Sequence, residues 1–242
     1  MKKIILTILF SFSLLLGQKV YWVDMYNGSD AGNGSSTAPF KTIHKVLESN
    51  SYLTSGQVDT VKVMPSVNTD NPNGYYDFKD EGTLYTSSSR DFVLIGVAGA
   101  DSTLLDAQST NRHMYIDDGQ SNKTKFIGIT FQNGYDTNNG GGAIFLSNGS
   151  DIQFIDCVFK NNISRQYSGG GAVVAHDGST PSFTSCTFED NRIAELSSGN
   201  EIPANNGFGG AVSIKYPHSK DCLLYTSPSP RDQRGSRMPS SA

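Results

Sequence analysis

Cysteine, basic residues and long apolar runs are all scarce in this sequence. Three cysteines in 242 residues are too few for a disulfide scaffold. Lys and Arg number 19 against 23 Asp and Glu, which gives a net charge of −4 and argues against nucleic acid or an anionic membrane as a partner. Beyond Leu16 no segment is apolar enough to span a bilayer, so the sequence predicts no transmembrane segment.

The N-terminus has the pattern of a secretory signal peptide. Lys2 and Lys3 precede an apolar run at residues 4–16, and the small residue Gly17 suits the last position before a cleavage site. We therefore assign residues 1–17 as a signal peptide, with the mature chain starting at Gln18. A retained N-terminal anchor is the alternative. The predicted localisation is secreted or cell surface.

Residues 222–242 resemble translated sequencing adapter. Residues 222–232 match one reading frame of a transposon-end adapter, and residues 236–242 resemble flow-cell primer. A natural Ser/Pro/Arg-rich flexible tail is the alternative. We expect the natural chain to continue past Asp221. Between the two ends, residues 18–221 carry 14 basic and 22 acidic residues, a net charge of −8.

The middle of the chain repeats itself. Similar segments lie at residues 126–134, 154–162 and 183–191, spaced by 28 and 29 residues, and each precedes a Gly-Gly-Ala-Ile/Val segment at residues 141–144, 170–173 and 209–212. An insertion within residues 197–206 delays the third of these segments. Two short strands per repeat, separated by Gly/Asn-rich turns, are typical of a parallel solenoid, whereas the strands of a sandwich do not recur in sequence.

Stacking the repeats predicts columns of like residues in successive coils. The predicted structural ladder consists of Cys157, Cys186, Phe131, Phe159, Phe188, Asn161, Asn162 and Asn191. Further apolar members are Ile129, Ile144, Val173 and Val212, and the corner position holds Asn133, Asn161 and Asp190. Asn tolerates the left-handed backbone of a sharp corner. Cys157 and Cys186 share a column, so both a disulfide and a pair of small buried side chains remain open.

These patterns predict an all-β fold, a right-handed single-stranded parallel β-helix that is truncated at its C-terminus. Residues 61–221 form the coils, with early strands at residues 61–63, 92–96 and 103–107. Residues 18–60 form an N-terminal cap region. In it, Thr37 as N-cap and Pro39 in the first turn predict a capping helix.

The N-terminal region and the repeats themselves resemble known β-helix proteins. Residues 21–24, 28–36 and 39–43 resemble the N-terminal signature of secreted pectate-lyase-like right-handed β-helix proteins. The Gly-Gly-Ala-Ile/Val and Phe-x-x-Cys-x-Phe-x-x-Asn repeats resemble those of polymorphic outer-membrane proteins. The resemblance implies the fold, but this scaffold carries both enzymes and passive surface proteins. Residues 64–67 depart from the pattern, because Met-Pro-Ser-Val replaces the usual Gly-x-Tyr segment.

A lyase on this scaffold needs a base and a group that neutralises a uronate carboxylate. The candidates on repeat coils are Lys160, Arg165, His176, Arg192 and Lys215. Solvated surface charges are the alternative for each, so the catalytic residues are unassigned. His176 followed by Asp177 is compatible with a base and its orienting carboxylate, and equally with an exposed turn.

Metal binding is also open. Oxygen ligands in Gly/Asn-rich loops come from Asp24, Asp30, Asn33, Asp70, Asp77, Asp80 and Asp118. No EF-hand or nonapeptide Ca²⁺ pattern is present. We therefore predict no cofactor, with Ca²⁺ as the alternative and turn formation as the default role of these residues.

Two functions remain after these arguments. The first is a secreted or cell-surface β-helix repeat protein that binds polysaccharide or cell-surface glycan without catalysis. The second is a polysaccharide lyase or glycoside hydrolase acting on acidic polysaccharide. The net charge of −8 favours the first, because an acidic protein needs Ca²⁺ to bind a polyanion.

Overall fold

The structure is a computed structural model that describes residues 17–48, 52–86, 88–165, 169–197, 200–203 and 210–214. It shows an all-β parallel β-solenoid with two short α-helices, which confirms the predicted fold class. The predicted signal peptide up to residue 16, Lys215 and the segment 222–242 lie outside the described residues. Within the described ranges, no helix combines the length and hydropathy needed to cross a membrane.

The first three coils are irregular. The first contains β1 (Val20–Val23) and α1 (Ile43–Leu47). The second contains β2 (Asp59–Val63), β3 (Tyr76–Asp77), α2 (Phe78–Glu81) and β4 (Leu84–Tyr85). The third contains β5 (Phe92–Gly96), a 3-10 turn (Ala100–Ser102), β6 (Leu104–Asp106) and β7 (Met114–Ile116).

The next three coils repeat one pattern. The fourth has β8 (Lys125–Ile127), β9 (Thr130–Gln132), β10 (Tyr135–Asp136) and β11 (Ile144–Leu146). The fifth has β12 (Gln153–Ile155), β13 (Val158–Lys160), β14 (Ile163–Ser164) and β15 (Val173–Ala175). The sixth has β16 (Ser182–Thr184), β17 (Thr187–Glu189), β18 (Arg192–Ser197), β19 (Asn200–Pro203) and β20 (Val212–Ile214).

Successive coils stack their strands into four sheets. The first sheet has the order β1-β2-β5-β8-β12-β16, and the second has the order β3-β6-β9-β13-β17. The short third sheet is β10-β14-β18-β19, and the fourth is β4-β7-β11-β15-β20. Neighbouring strands pair in parallel, except that β18 and β19 form an antiparallel pair. Each coil therefore sits on the previous one with residues aligned one to one.

Left-handed residues form the corners of the regular coils. The first corner is at Gly128, Asp156 and Ser185, with φ of 62°, 51° and 52°. The second is at Asn133, Asn161 and Asp190, with φ of 54°, 54° and 52°. The sequence analysis predicted two short strands per repeat, and the structure corrects this, because the segment 126–132 alone contributes to two strands. A residue with positive φ cannot continue a pleated strand, so the segment divides into β8 and β9.

Aromatic columns fill the interior of the regular coils. Phe131, Phe159 and Phe188 pair in register, with successive ring centroids 5.2 Å and 4.9 Å apart. A second column of Phe126, Phe154 and Phe183 has spacings of 5.3 Å and 5.1 Å. Rings of the two columns meet edge to face, as Phe154 does with Phe159 at 75°. Aromatic rings favour both arrangements, so the two columns hold adjacent coils together.

The N-terminal helix covers the end of the solenoid but starts later than predicted. Its N-cap is Thr42, whose hydroxyl accepts a hydrogen bond from the backbone N–H of Lys45, and not Thr37. Thr37 instead lies in a turn closed by the backbone bond from Ala38 to Ser35, and the fully buried Phe40 then forms a parallel bridge with Val23. The helix buries one face and contacts β4. The first sheet already begins at β1, inside the range 18–60 that was predicted as cap.

Candidate functional site

The fourth sheet carries a column of aromatic side chains on its outward face. Tyr85 pairs in register with Tyr115, and Tyr115 with Phe145. The ring centroids are 5.5 Å apart with a tilt of 35° in the first pair, and 4.7 Å apart at 17° in the second. Their strand neighbours Met114 and Ile144 are fully buried in the interior. Because side chains alternate along a strand, the three rings lie outside, and we call them the aromatic column.

Exposure decreases along the aromatic column. Tyr85 has 56% of its surface exposed, the highest value among the exposed large apolar side chains of the described ranges. Tyr115 is half-buried, and Phe145 is only 5% exposed. A contiguous aromatic surface with a polar rim is a typical interaction site. The accessible part of this one is formed by the two tyrosines.

A buried cation lies beside the two inner rings. The guanidinium carbon of Arg112 is 5.5 Å from the ring centre of Tyr115 and 5.2 Å from that of Phe145. Burial lowers the pKa of Arg112, and the carboxylate of Asp136 opposes this shift. An arginine side chain stays charged in either case. The cation is attracted to the ring faces and holds both rings in position.

Arg112 also anchors the loop between β10 and β11. Its Nε donates to the carbonyl of Gly141 at 2.9 Å and its Nη2 to that of Gly140 at 2.7 Å. The same Nη2 pairs with Asp136, and both side chains are 7% exposed. The other carboxylate oxygen of Asp136 accepts the backbone N–H groups of residues 138–140. The loop is therefore fixed as one wall of the aromatic column.

The opposite wall is polar and follows the carboxyl ends of the strands. The hydroxyl of Thr86 donates to Asp118 at 3.1 Å, and that of Ser147 donates to Asp177 at 2.9 Å. His176 Nδ1 lies 2.8 Å from the other oxygen of Asp177. Carboxyl ends of parallel strands meet at one edge of a sheet, which brings these side chains together although they are far apart in sequence. We call this edge the polar rim.

Burial and the carboxylates of the polar rim raise the pKa of Tyr115 in the aromatic column. Burial raises the pKa of Tyr115 above 10.0, with a further contribution from Asp117 and a partial offset from Arg112. Burial and the neighbouring Asp118 raise the pKa of Asp117. The hydroxyl of Tyr115 is therefore protonated at neutral pH and is available as a hydrogen-bond donor beside carboxylate acceptors.

The residues of the predicted ladder lie away from this site: Phe131, Cys157, Phe159 and Asn162 are buried, and Asn161, Cys186, Phe188 and Asn191 are half-buried. Asn162 is fully buried. Its Oδ1 accepts from Gly134 N–H at 2.8 Å, and its Nδ2 donates to the carbonyl of Phe131 at 3.0 Å and to Asn191 Oδ1 at 2.9 Å. One coil further along, Nδ2 of Asn191 donates in the same way to the carbonyl of Phe159 in the preceding coil. These amides satisfy corner backbone groups, so their role is structural.

The structure does not bring the predicted catalytic candidates together. Lys160 pairs with Glu189 at 3.4 Å on the second sheet. Arg192 donates to the carbonyl of Asp190 at a corner, and Arg165 follows β14 in the third sheet. His176 does reach the site, because its ring lies 6.4 Å from that of Phe145 at an angle of 23°.

The predicted oxygen ligands are mainly turn-forming groups. Asp24 accepts from the backbone N–H groups of Tyr26 and Asn27, and Asp30 accepts from Thr42 and its neighbour. Asp77 caps α2. In the part of the chain that the structure describes, no three His, Cys, Asp or Glu side chains form a group able to hold a metal ion. The site is built from aromatic and hydrogen-bonding groups.

The sequence analysis missed the aromatic column. It aligned repeats only from residue 126 onward, whereas Tyr85, Tyr115 and Phe145 recur at intervals of 30 residues. Arg112 and His113 stand where later coils have Gly and Ala, which hides the repeat. Aligning the strand Leu84–Tyr85 with Met114–Ile116 and Ile144–Leu146 would have revealed it.

Comparisons with known proteins give limited similarity. No protein-family model matches the chain, and no curated protein matches it. A solved structure described as "Rhamnogalacturonan lyase" has 12% sequence identity and a TM-score of 0.39 over 85% of this chain. The match covers 65% of that protein, so the chain spans slightly less than two thirds of its length.

Proposed function

We propose that this β-solenoid binds carbohydrate at the aromatic column and the polar rim. The observation that carries the proposal is the ring pair of exposed Tyr85 and half-buried Tyr115, which lie on successive coils and are bordered by fixed hydrogen-bonding groups. A sugar ring has an apolar C–H face and a periphery of hydroxyl groups. It therefore needs an aromatic surface and polar groups side by side, which binding sites combine to obtain orientation and specificity.

The charges at the site favour a neutral glycan. Asp117, Asp118 and Asp177 lie at the polar rim, and Asp136 neutralises Arg112 on the other wall. A uronate would meet like charges here, and like charges repel at short range. Sugar hydroxyls, in contrast, donate well to carboxylates. A secreted or cell-surface location, as the sequence predicts, is the setting in which we propose that this binding takes place.

One observation favours the alternative of a polysaccharide lyase or glycoside hydrolase. His176 and Asp177 are arranged as a base and its orienting carboxylate beside the aromatic column. A lyase would release an unsaturated sugar that absorbs in the ultraviolet. Incubation with uronate polymers, with and without Ca²⁺, tests both activities if ultraviolet absorbance reports the lyase and new reducing ends report the hydrolase, and a signal that disappears in His176→Ala would favour catalysis over binding alone.

Binding is tested by calorimetry and affinity electrophoresis with galactomannan, xylan and polygalacturonate. We expect the native chain to bind at least one neutral polymer. Tyr85→Ala should weaken that binding about tenfold, because truncating an exposed aromatic side chain removes most of its contribution to the binding free energy. Tyr26→Ala is the matched control, because Tyr26 is 43% exposed but lies outside the aromatic column. Equal affinity in native chain and Tyr85→Ala, or binding to polygalacturonate alone, would contradict the proposal.

A further inference from the structure

Two cysteines occupy the same corner of adjacent coils. Cys157 directly precedes β13 and Cys186 directly precedes β17, whose first residues Val158 and Thr187 are paired in register. The backbone N–H of Thr187 donates to the carbonyl of Cys157 at 2.9 Å. Strands joined in this way lie about 4.8 Å apart, which falls within the range of Cα separations that disulfides span.

The two thiols have the same surroundings one coil apart. Cys157 Sγ donates to the carbonyl of Phe126 at 3.4 Å, and Cys186 Sγ donates to that of Phe154 at 3.4 Å. The side chains therefore point in the same direction, which places one thiol above the other in adjacent coils. Both are free thiols in the structure.

We propose that Cys157 and Cys186 form a disulfide that staples the fifth coil to the sixth when a disulfide-bearing oxidant is supplied. The oxidant belongs to the class of small or protein disulfides, such as oxidised glutathione, that act by thiol–disulfide exchange. The inference rests on the corner geometry and is independent of the proposed carbohydrate binding.

The difference between the two thiols sets the order of the reaction. The neighbouring Cys157 thiol lowers the pKa of Cys186, whereas burial raises the pKa of Cys157. Cys186 is half-buried and Cys157 is fully buried. The thiolate of Cys186 therefore attacks the oxidant, forming a mixed disulfide and releasing one thiolate. Cys157 then loses its proton, attacks the Cys186 sulfur and displaces the second thiolate. Two protein thiols are oxidised, and one oxidant disulfide is reduced to two thiols.

The test uses the full chain with Cys222→Ser, so that two thiols remain. The reduced protein is exposed to oxidised glutathione, denatured without reductant, alkylated and examined by mass spectrometry. We expect a loss of two hydrogens, no alkylation and a linked peptide pair containing residues 157 and 186. The melting temperature should rise by several degrees on oxidation, because a cross-link restricts the unfolded chain, and should return to its initial value with dithiothreitol.

Cys157→Ala and Cys186→Ala serve as matched controls, and neither should gain stability on oxidation. If a variant folds poorly, the comparison of the Cys222→Ser chain with and without oxidant still tests the proposal, because both samples have the same sequence. Two alkylated cysteines after oxidation would overturn the proposal. So would a product in which Cys186 carries glutathione while Cys157 stays alkylatable.

Discussion

At the scale of single residues, His113 is an ionisable group inside the apolar core. It is fully buried, with its ring 5.3 Å from that of Phe78 and 5.6 Å from that of Phe131. Its Nε2 lies 3.0 Å from the carbonyl of Leu105, so the neutral tautomer with a proton on Nε2 suits the site. Burial lowers the pKa of His113 from 6.5 to about 4, with the bond to Leu105 opposing the shift. The folded protein therefore holds this histidine neutral.

This depressed pKa predicts acid lability. Between pH 6.5 and about 4 the unfolded chain binds a proton at His113 that the folded chain does not. The contribution of neutral His113 to the free energy of unfolding is therefore fully present above pH 6.5. It decreases as the pH falls towards about 4, by about 3 kcal/mol in total. Urea unfolding across this range measures the loss.

The variant His113→Leu should show a flatter dependence of unfolding free energy on pH, because it has no proton to bind at this position. His176→Leu removes a partly exposed histidine and controls for the loss of a histidine in general. An identical pH slope in native chain and His113→Leu would show that other groups cause the acid lability.

At the scale of elements, the loop between β10 and β11 depends on one buried ion pair. Arg112→Met leaves the carboxylate of Asp136 buried without its counter-charge, which costs about 3–5 kcal/mol in such pairs. We expect a lower unfolding free energy and faster amide exchange at residues 138–142. Native-state hydrogen exchange with mass spectrometry resolves this loop from the rest of the fourth sheet.

Two comparisons make the loop prediction specific. Lys160→Met breaks the exposed pair with Glu189 and should cost under about 1 kcal/mol. The double variant Arg112→Met with Asp136→Leu removes both charges and should recover part of the lost stability. Unchanged exchange at residues 138–142 in Arg112→Met would show that the ion pair does not hold the loop.

The sequence predicts the regular coils well because their constraints are local. A corner favours Asn, Asp or Gly, with Ser185 as the exception, and two interior columns hold Phe, so both features recur visibly every 28 or 29 residues. The capping helix was placed too early because Thr37 and Pro39 satisfy local capping preferences. The bridge from Phe40 to Val23 is a contact between distant residues, and it keeps residue 40 out of the helix, whose N-cap is Thr42.

The candidate site was less predictable because it too depends on contacts between residues that are distant in sequence. His176 stood out as a candidate, but its neighbours in space come from the preceding coil. Its ring lies beside that of Phe145, and its sequence neighbour Asp177 accepts a hydrogen bond from Ser147. Such neighbours depend on the exact register between coils. Irregular second and third coils hide that register upstream of residue 126, so the pairing of Tyr85 with Tyr115 needed the structure.

At the scale of the whole molecule, the stacked aromatic side chains of the interior couple the stability of each coil to that of its neighbours. Phe159 stacks on Phe131 below and Phe188 above, and Phe159→Ala should cost about 3–5 kcal/mol through lost contacts and a cavity. Each coil of a solenoid contacts mainly its neighbours. We therefore expect hydrogen-exchange protection to fall in the fourth to sixth coils and to persist in β1 and β2.

Val97→Ala is the control for this prediction, since Val97 is 41% exposed and its truncation should change the unfolding free energy by less than about 0.5 kcal/mol. A uniform loss of protection from β1 to β17 in Phe159→Ala would contradict nearest-neighbour coupling. It would show instead that the coils unfold as one unit.

The antiparallel pair β18 and β19 has a practical consequence for protein engineering. This excursion departs at the corner after Asp190, yet β20 returns to pair with β15 residue for residue. The excursion thus adds sequence to one coil without disturbing the register of the strand that follows it. Foreign epitopes or reporter peptides inserted between β18 and β19 should therefore leave the pairing of β15 with β20 unchanged.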